Sequence, residues 1–346
     1  MAKLSNAALN LIAASMLRAL LYYGRTVLAP VAFALFIIML VWPVQRALAS
    51  ALNPALTLLI SFVLVLGVLL GFGWLMAWTV GQVGRRIASD ATTYQFLYQQ
   101  FQAWLEAHGI AASLLWSDNF NITTTLRMLQ TVSLQLRNIF SFWLIALVYV
   151  LLGLAEIDAF GSRINRLNNQ RAVVSFLRAS KAAAAKIRVY MLLRTAMSVA
   201  TGVFVWLFTR LLGLPFAETW GFVAFILNFI PFLGPLIATL LITAFAFTQW
   251  GDWRWGGFIF VGLNAIQSII GSVIEPRLTG RTLALSPLAT LFSVFAWAAI
   301  WGVFGAFIGV PLTIVILTFC AHHATTGPIA EIFGFPRATG DEEKRN

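Results

Sequence analysis

Charge is scarce in this chain. Only 10% of its 346 residues are Asp, Glu, Lys or Arg, and 60% are hydrophobic. A soluble globular domain carries about 25% charged residues. Whole stretches have no charge at all: 26–45, 47–84, 138–155, 219–251, 255–274 and 282–330. Each is long enough, or nearly so, to cross ~30 Å of hydrocarbon at about 1.5 Å per residue. Cysteine is scarcer still. The single Cys320 excludes an internal disulfide framework. Catalytic and nucleotide-binding motifs are missing too: there is no HExxH, no GxSxG and no Walker A sequence. ATP is therefore excluded as the direct driver, and hydrolysis lacks its parts. His322 and His323 are adjacent with no third ligand nearby, so neither metal nor cofactor is expected. No clean cleavage site follows the N-terminus, and a removable signal peptide is not expected. What remains is an all-α polytopic membrane protein, not an enzyme.

The charge that is present is unevenly placed. The net charge is +11. No aromatic-basic module interrupts the apolar runs, so the excess points to anionic lipid rather than nucleic acid. From Glu156 to Tyr190 seven basic residues (Arg163, Arg166, Arg171, Arg178, Lys181, Lys186 and Arg188) face two acids, Glu156 and Asp158. Residues 81–137 hold four basic residues and three acids. The basic excess puts 155–189 in the cytoplasm. Counting spans backwards puts 81–137 outside and the N-terminus inside. The expected organisation is membrane helices over 1–80, an extracytoplasmic amphipathic helical region over 81–137, and a membrane helix over 138–154. The basic segment 155–189, a transport core over 190–320 and a cytoplasmic tail over 321–346 follow. Residues 171–193 have an amphipathic, basic pattern expected to lie along the inner membrane surface. Arg194 and Arg210 stand near the ends of the next span and can snorkel to the headgroups.

The C-terminal half is rich in residues that interrupt helices. FILNFIPFLGP, 225–235, puts Asn228, Pro231, Gly234 and Pro235 inside an uncharged run. Unwound backbone is tolerated in a membrane only against protein or a water-filled cavity. A functional break facing inward and a plain proline kink are the two readings, and two prolines with an asparagine favour the break. A faint repeat relates 212–226 to 283–298, and each goes on to a Gly/Pro stretch, PFLGP and FIGVP.

Glu275, beside Pro276 and Arg277, follows a long apolar run. It reads either as one half of an interfacial ion pair with Arg277 or Arg281, or as a solute or cation ligand. Glu218 reads as a helix N-terminal acid. Asn264, Gln267 and Ser268 share one helix face. With Asn228 they would line a path for a small polyol, or else only hydrogen-bond between helices.

Five elements stand in order: a GLP element (213–215), IPxxGP (230–235), IxPRxxG (274–280), LxLxP (283–287) and GxxGxxxxVP (302–311). Together they resemble the autoinducer-2 exporter family of bacterial permeases. The resemblance covers roughly 171–320, extends loosely through 19–50, and hardly touches 81–137. It implies about eight membrane segments in the inner membrane, with Pro/Gly-broken or re-entrant helices and a homo-oligomeric, pentameric assembly. It also implies export of autoinducer-2, or sodium/proton exchange as in some members. Antiport needs a titratable carboxylate in the path, and Glu275 is the one serious candidate. Permease export of a small polar solute is therefore the first reading. The antiporter is second, and a non-transporting membrane scaffold or regulator is third.

Overall fold

The computed structural model describes residues 2–89, 106, 141–157, 163, 170–250, 253–274, 277, 285–323 and 326–335. Their regular structure is all helix, and the chain is an all-α polytopic membrane protein. The helices are α1 (Ala2–Tyr23), α2 (Arg25–Ala49), α3 (Pro54–Ser89), α4 (Ser141–Ile157) and α5 (Gln170–Leu211). Then come α6 (Ala217–Leu227), α7 (Leu233–Trp250) and α8 (Trp253–Ser268). The last is extended by a π-helical turn, Ile269–Ile274. Beyond residue 89 the region expected over 81–137 lies outside the described residues, apart from Glu106.

The basic segment and the span after it form one helix. α5 runs 42 residues without a break. Residues 171–193 are thus the first half of a long rod rather than a separate surface helix. Arg194 does not reach outward as expected; its side chain is buried, at 6% exposed. Arg210 does reach the surface, where it pairs with Glu218 at 3.0 Å.

The chain divides into two compact units. The first comprises Met1–Val68, Phe142–Thr195 and Arg277–Asn346; the second comprises Leu69–Ser141 and Ala196–Pro276. In the first unit α2 buries Ala29, Phe33, Phe36, Ile37 and Val41. Phe33 meets Phe142, Trp143 and Phe307, and Phe142 stacks on Phe304 at 3.7 Å. Gln45 Nε2 donates to the Leu154 carbonyl at 3.2 Å. These contacts run α2 and α4 in the same direction, so residues 49 and 157 end on one side.

Residues Pro287–Ala321 have the composition of a single 35-residue span. They do not form one. At Gly302 the backbone turns with φ 65° and ψ −143°. A Cβ on Gly305 would collide with the Trp297 carbonyl, and one on Gly309 would lie 3.0 Å from the Ser293 carbonyl. In a straight helix residues 293 and 309 would be about 24 Å apart. Trp297 Nε1 also donates to Thr313 Oγ1 at 3.2 Å. The segment is a hairpin of two helices, α9 (287–301) and α10 (303–321). Ser286 caps α9 by accepting from the Ala289 amide at 3.2 Å, with Pro287 at the first position.

The dihedrals of Gly302 belong to glycine, as at the first corner of a type II′ turn. A Cβ there has open space around it. Gly302→Ala is expected to cost about 1–3 kcal/mol through backbone strain alone. The readout is the melting temperature of the purified protein in detergent. Gly302→Asn should not rescue it, because asparagine favours positive φ with positive ψ. Wild-type stability in both variants would show that the fold-back does not depend on this turn.

The short helix α11 (Gly327–Ile332) ends in a Schellman motif. Gly334, at φ 86°, lets Phe335 N–H reach the Ala330 carbonyl and its own N–H reach Glu331. Phe335 is buried, with the Lys186 ammonium 4.1 Å from its ring centre. Phe333 meets Phe292 near the start of α9. The C-terminal segment, the open end of the α9–α10 hairpin and the first half of α5 therefore lie together.

Candidate functional site

The break anticipated at NFIPFLGP is present in the second unit, and it is a hairpin. α6 has 11 residues, about 16 Å, roughly half of what a span needs. It stops at Leu227, residues 228–232 turn, and α7 returns for 18 residues. Trp220 meets Phe245 at 5.0 Å, and Phe216 meets the same ring at 6.3 Å. The arms therefore run antiparallel. Val205, Leu214, Trp220, Ala224, Ala238, Ile242, Phe245, Ala246, Ile259 and Leu263 form the core between α5, α6, α7 and α8.

The tip satisfies much of its own backbone. The Asn228 amide donates to Ala224, Ile230 to Leu227, Leu233 to Pro231 and Gly234 to Ile230, at 2.7–3.0 Å. An array of free carbonyls is therefore not its main polar feature. The Asn228 side chain is. It is 4% exposed, and its Nδ2 donates to Ser198 Oγ on α5 at 3.2 Å. The helices come close enough for this because Gly202 and Gly221 put backbone against backbone. Thr201 is one turn along from Ser198 and is also buried; its hydroxyl has no hydrogen-bond partner among the described residues. A buried hydroxyl without a partner is costly unless something else occupies its surroundings.

Two phenylalanines carry strain that sequence reasoning missed. Phe216 and Phe232 have φ of 62° and 61°. Bulky side chains rarely adopt positive φ, and each instance costs about 1–3 kcal/mol. Around Phe232 the Leu233 N–H bonds to the Pro231 carbonyl at 2.7 Å, the pattern of a strained γ-turn. Each phenylalanine follows a proline and precedes a helix. The repeated Pro-Phe dipeptide, at 215–216 and 231–232, was the available signal. Ser198 left no signal, because one serine in an apolar helix looks like many others.

Pro231 is buried in the turn and Gly234 is buried beside it. Pro235 is not in the break but in the first turn of α7. Proline is tolerated there, since the amide it lacks has no partner within the helix. Pro235→Ala is accordingly expected to change stability by less than about 1 kcal/mol. Pro231→Ala should loosen the turn and increase proteolysis at 228–232. Similar losses from both would return Pro235 to the break.

The remaining candidates are not joined to this tip by any contact described. Asn264 is exposed and donates to the Phe260 carbonyl of its own helix at 2.8 Å. Ser268 is exposed and Gln267 half-buried, just before the π-helical turn. Arg277 is exposed. Glu275 and Pro276 lie outside the described residues. Glu218 starts α6 at the exposed base of the hairpin, outside the long spanning helices. Its own backbone amide, and then the Trp206 side chain and Arg210, hold its carboxyl below the usual range against some desolvation.

A short apolar helix folded back on a longer one, with a buried amide at the tip, is an arrangement that suits a membrane transport protein. The comparisons give the family. The AI-2E family transporter profile matches residues 11–324, and the chain belongs to that family. It is 25% identical to the AI-2 transport protein TqsA of Escherichia coli K12, over 85% of both chains. It is 28% identical to a putative transport protein of Borreliella burgdorferi, over 49% of this chain and 47% of that one. It is 34% identical to the putative transport protein YhhT of Escherichia coli K12, over 36% of both.

Proposed function

We propose that the protein is an inner-membrane secondary permease that exports a small polar solute, with autoinducer-2 as the first candidate. The observation that carries the reading is the hairpin tip, where a nearly fully buried Asn228 meets Ser198, one turn from Thr201, whose buried hydroxyl has no partner among the described residues. A hydroxyl-and-amide site of this kind suits a neutral polyol. The relative TqsA is an AI-2 transport protein, which makes autoinducer-2 the first candidate solute. The absence of a Walker A sequence supports a secondary mechanism. The proposal includes cytoplasmic N- and C-termini and a homo-oligomer.

The test uses purified protein in liposomes loaded with autoinducer-2, with efflux followed over time against protein-free vesicles. Efflux well above the control supports export. A sodium-dependent proton flux without solute efflux would replace it with the antiporter. Neither activity would favour the scaffold.

A further inference from the structure

We propose that Lys181 and Arg188, on the exposed side of α5, form a binding site for the headgroup of an anionic phospholipid. The charge count alone does not choose among the seven basic residues of 155–189. The structure does. Residues 174, 178, 181, 185, 188, 192 and 195 follow one another at spacings of three and four, so they form one row along the helix. Arg178, Lys181, Ala185, Leu192 and Thr195 in that row are exposed, and Arg188 is half-buried. The last charge in the row is Arg188. One turn later stands Leu192, 72% exposed. An exposed leucine one turn from an arginine marks the level where hydrocarbon gives way to headgroups. From 189 to 209 the one charged residue is Arg194, and it is buried. That stretch rises ~32 Å, close to the ~30 Å of a hydrocarbon core.

Other cations of α5 are engaged elsewhere. The Lys186 ammonium lies 4.1 Å from the Phe335 ring centre, and Arg210 pairs with Glu218 at 3.0 Å. Lys181 and Arg188 have no acidic partner among the described residues. Arg188 uses one donor on its own helix, Nε to the Ala184 carbonyl at 3.2 Å. Its terminal amino groups are those that a phosphate engages two at a time. Ala185, between the two cations in the row, puts only a methyl group between them. Lys181 lies ~10 Å from Arg188 along the axis, and its flexible stem reaches back toward a headgroup layer about 5–7 Å deep. Arg178, ~15 Å from Arg188, lies beyond that layer and outside the site. A basic row that ends one turn from an exposed leucine fits a partner that is anionic at one end and apolar at the other. A phospholipid is both; an acidic protein surface is not.

The test uses the full chain purified in detergent. Phosphatidylglycerol and phosphatidylcholine with the same acyl chains are added in competition, and the lipid retained is read by native mass spectrometry. Wild type should retain the anionic lipid over the neutral one. The preference should fall about fivefold in each of Lys181→Gln and Arg188→Gln, and about 25-fold in the double variant. Lys181→Arg should keep it, and Arg178→Gln should change it by less than about twofold, since its charge lies more than a Debye length away. Equal retention of the two lipids by wild type overturns the proposal, and so does an undiminished preference in the double variant. A loss in Arg178→Gln as large as in Lys181→Gln would make the attraction diffuse and remove the site. Excess inorganic phosphate at constant ionic strength should not displace the lipid; displacement would mean a small-anion site instead. Lys181 is exposed, so Lys181→Gln alone carries the test if Arg188→Gln does not assemble. The measurement needs no solute and stands apart from the permease reading.

Discussion

Gly234→Ala is expected to prevent the first hairpin from closing. A Cβ at 234 would fall inside the van der Waals envelope of the Leu227 carbonyl, with the Asn228 amide nitrogen at 3.2 Å. Overpacking a filled site costs about 1–3 kcal/mol, occasionally more. Here the obstacle is backbone at the end of α6, which cannot rotate away as a side chain can. The turn is also fixed by four short hydrogen bonds and by Phe232 at positive φ. The loss should therefore reach or exceed about 3 kcal/mol, the top of that range. It should appear as poor recovery of assembled protein in size-exclusion chromatography. The controls are Gly257→Ala and Gly271→Ala, where a Cβ meets nothing within 4 Å. They should be neutral, or slightly stabilising where glycine sits in a helix. Normal assembly of Gly234→Ala would mean that the arms stand further apart than described.

The sequence and the structure agree where one physical signal suffices. Uncharged runs of spanning length became α2, α3, α4 and α8, because hydropathy and length decide membrane insertion. Pro231 and Gly234 marked a true break, because a buried tip needs a residue without an amide and one without a side chain. Pro235 did not belong to it, since proline is equally at home in the first turn of a helix.

The run 282–330 could be read as broken or re-entrant from its glycines and prolines, but which of its segments folds back could not. Two apolar arms folded back have the same hydropathy as one long span. The deciding residue, Gly302, is one glycine among 25. Its role lies in a ψ angle, and no composition reports that. The continuity of α5 was hidden similarly. Its basic half and its apolar half read as two environments, although one helix passes through both. The Asn228–Ser198 pair depends on the close approach at Gly202 and Gly221, a contact between helices that no local pattern encodes.

That pair supports the second large prediction. Asn228→Ala should strand the Ser198 hydroxyl in a buried site, at a cost of about 1–3 kcal/mol. Ser198→Ala should strand the Asn228 amide by a similar amount. Removing both partners should recover most of the loss, since an interhelical hydrogen bond in a membrane contributes only about 0.6 kcal/mol on average. A double-mutant cycle on thermal stability measures this coupling. Transport should separate from stability. If Asn228 touches solute, Ser198→Ala/Asn228→Leu should assemble normally and still lose autoinducer-2 efflux by about tenfold or more, since ~1.4 kcal/mol of barrier is tenfold in rate. Asn228→Gln keeps the amide but displaces it, and should retain part of the activity. Wild-type efflux from the stable double variant would make Asn228 a fold residue only. The solute path would then have to be sought along Asn264, Gln267 and Ser268, the polar face of α8.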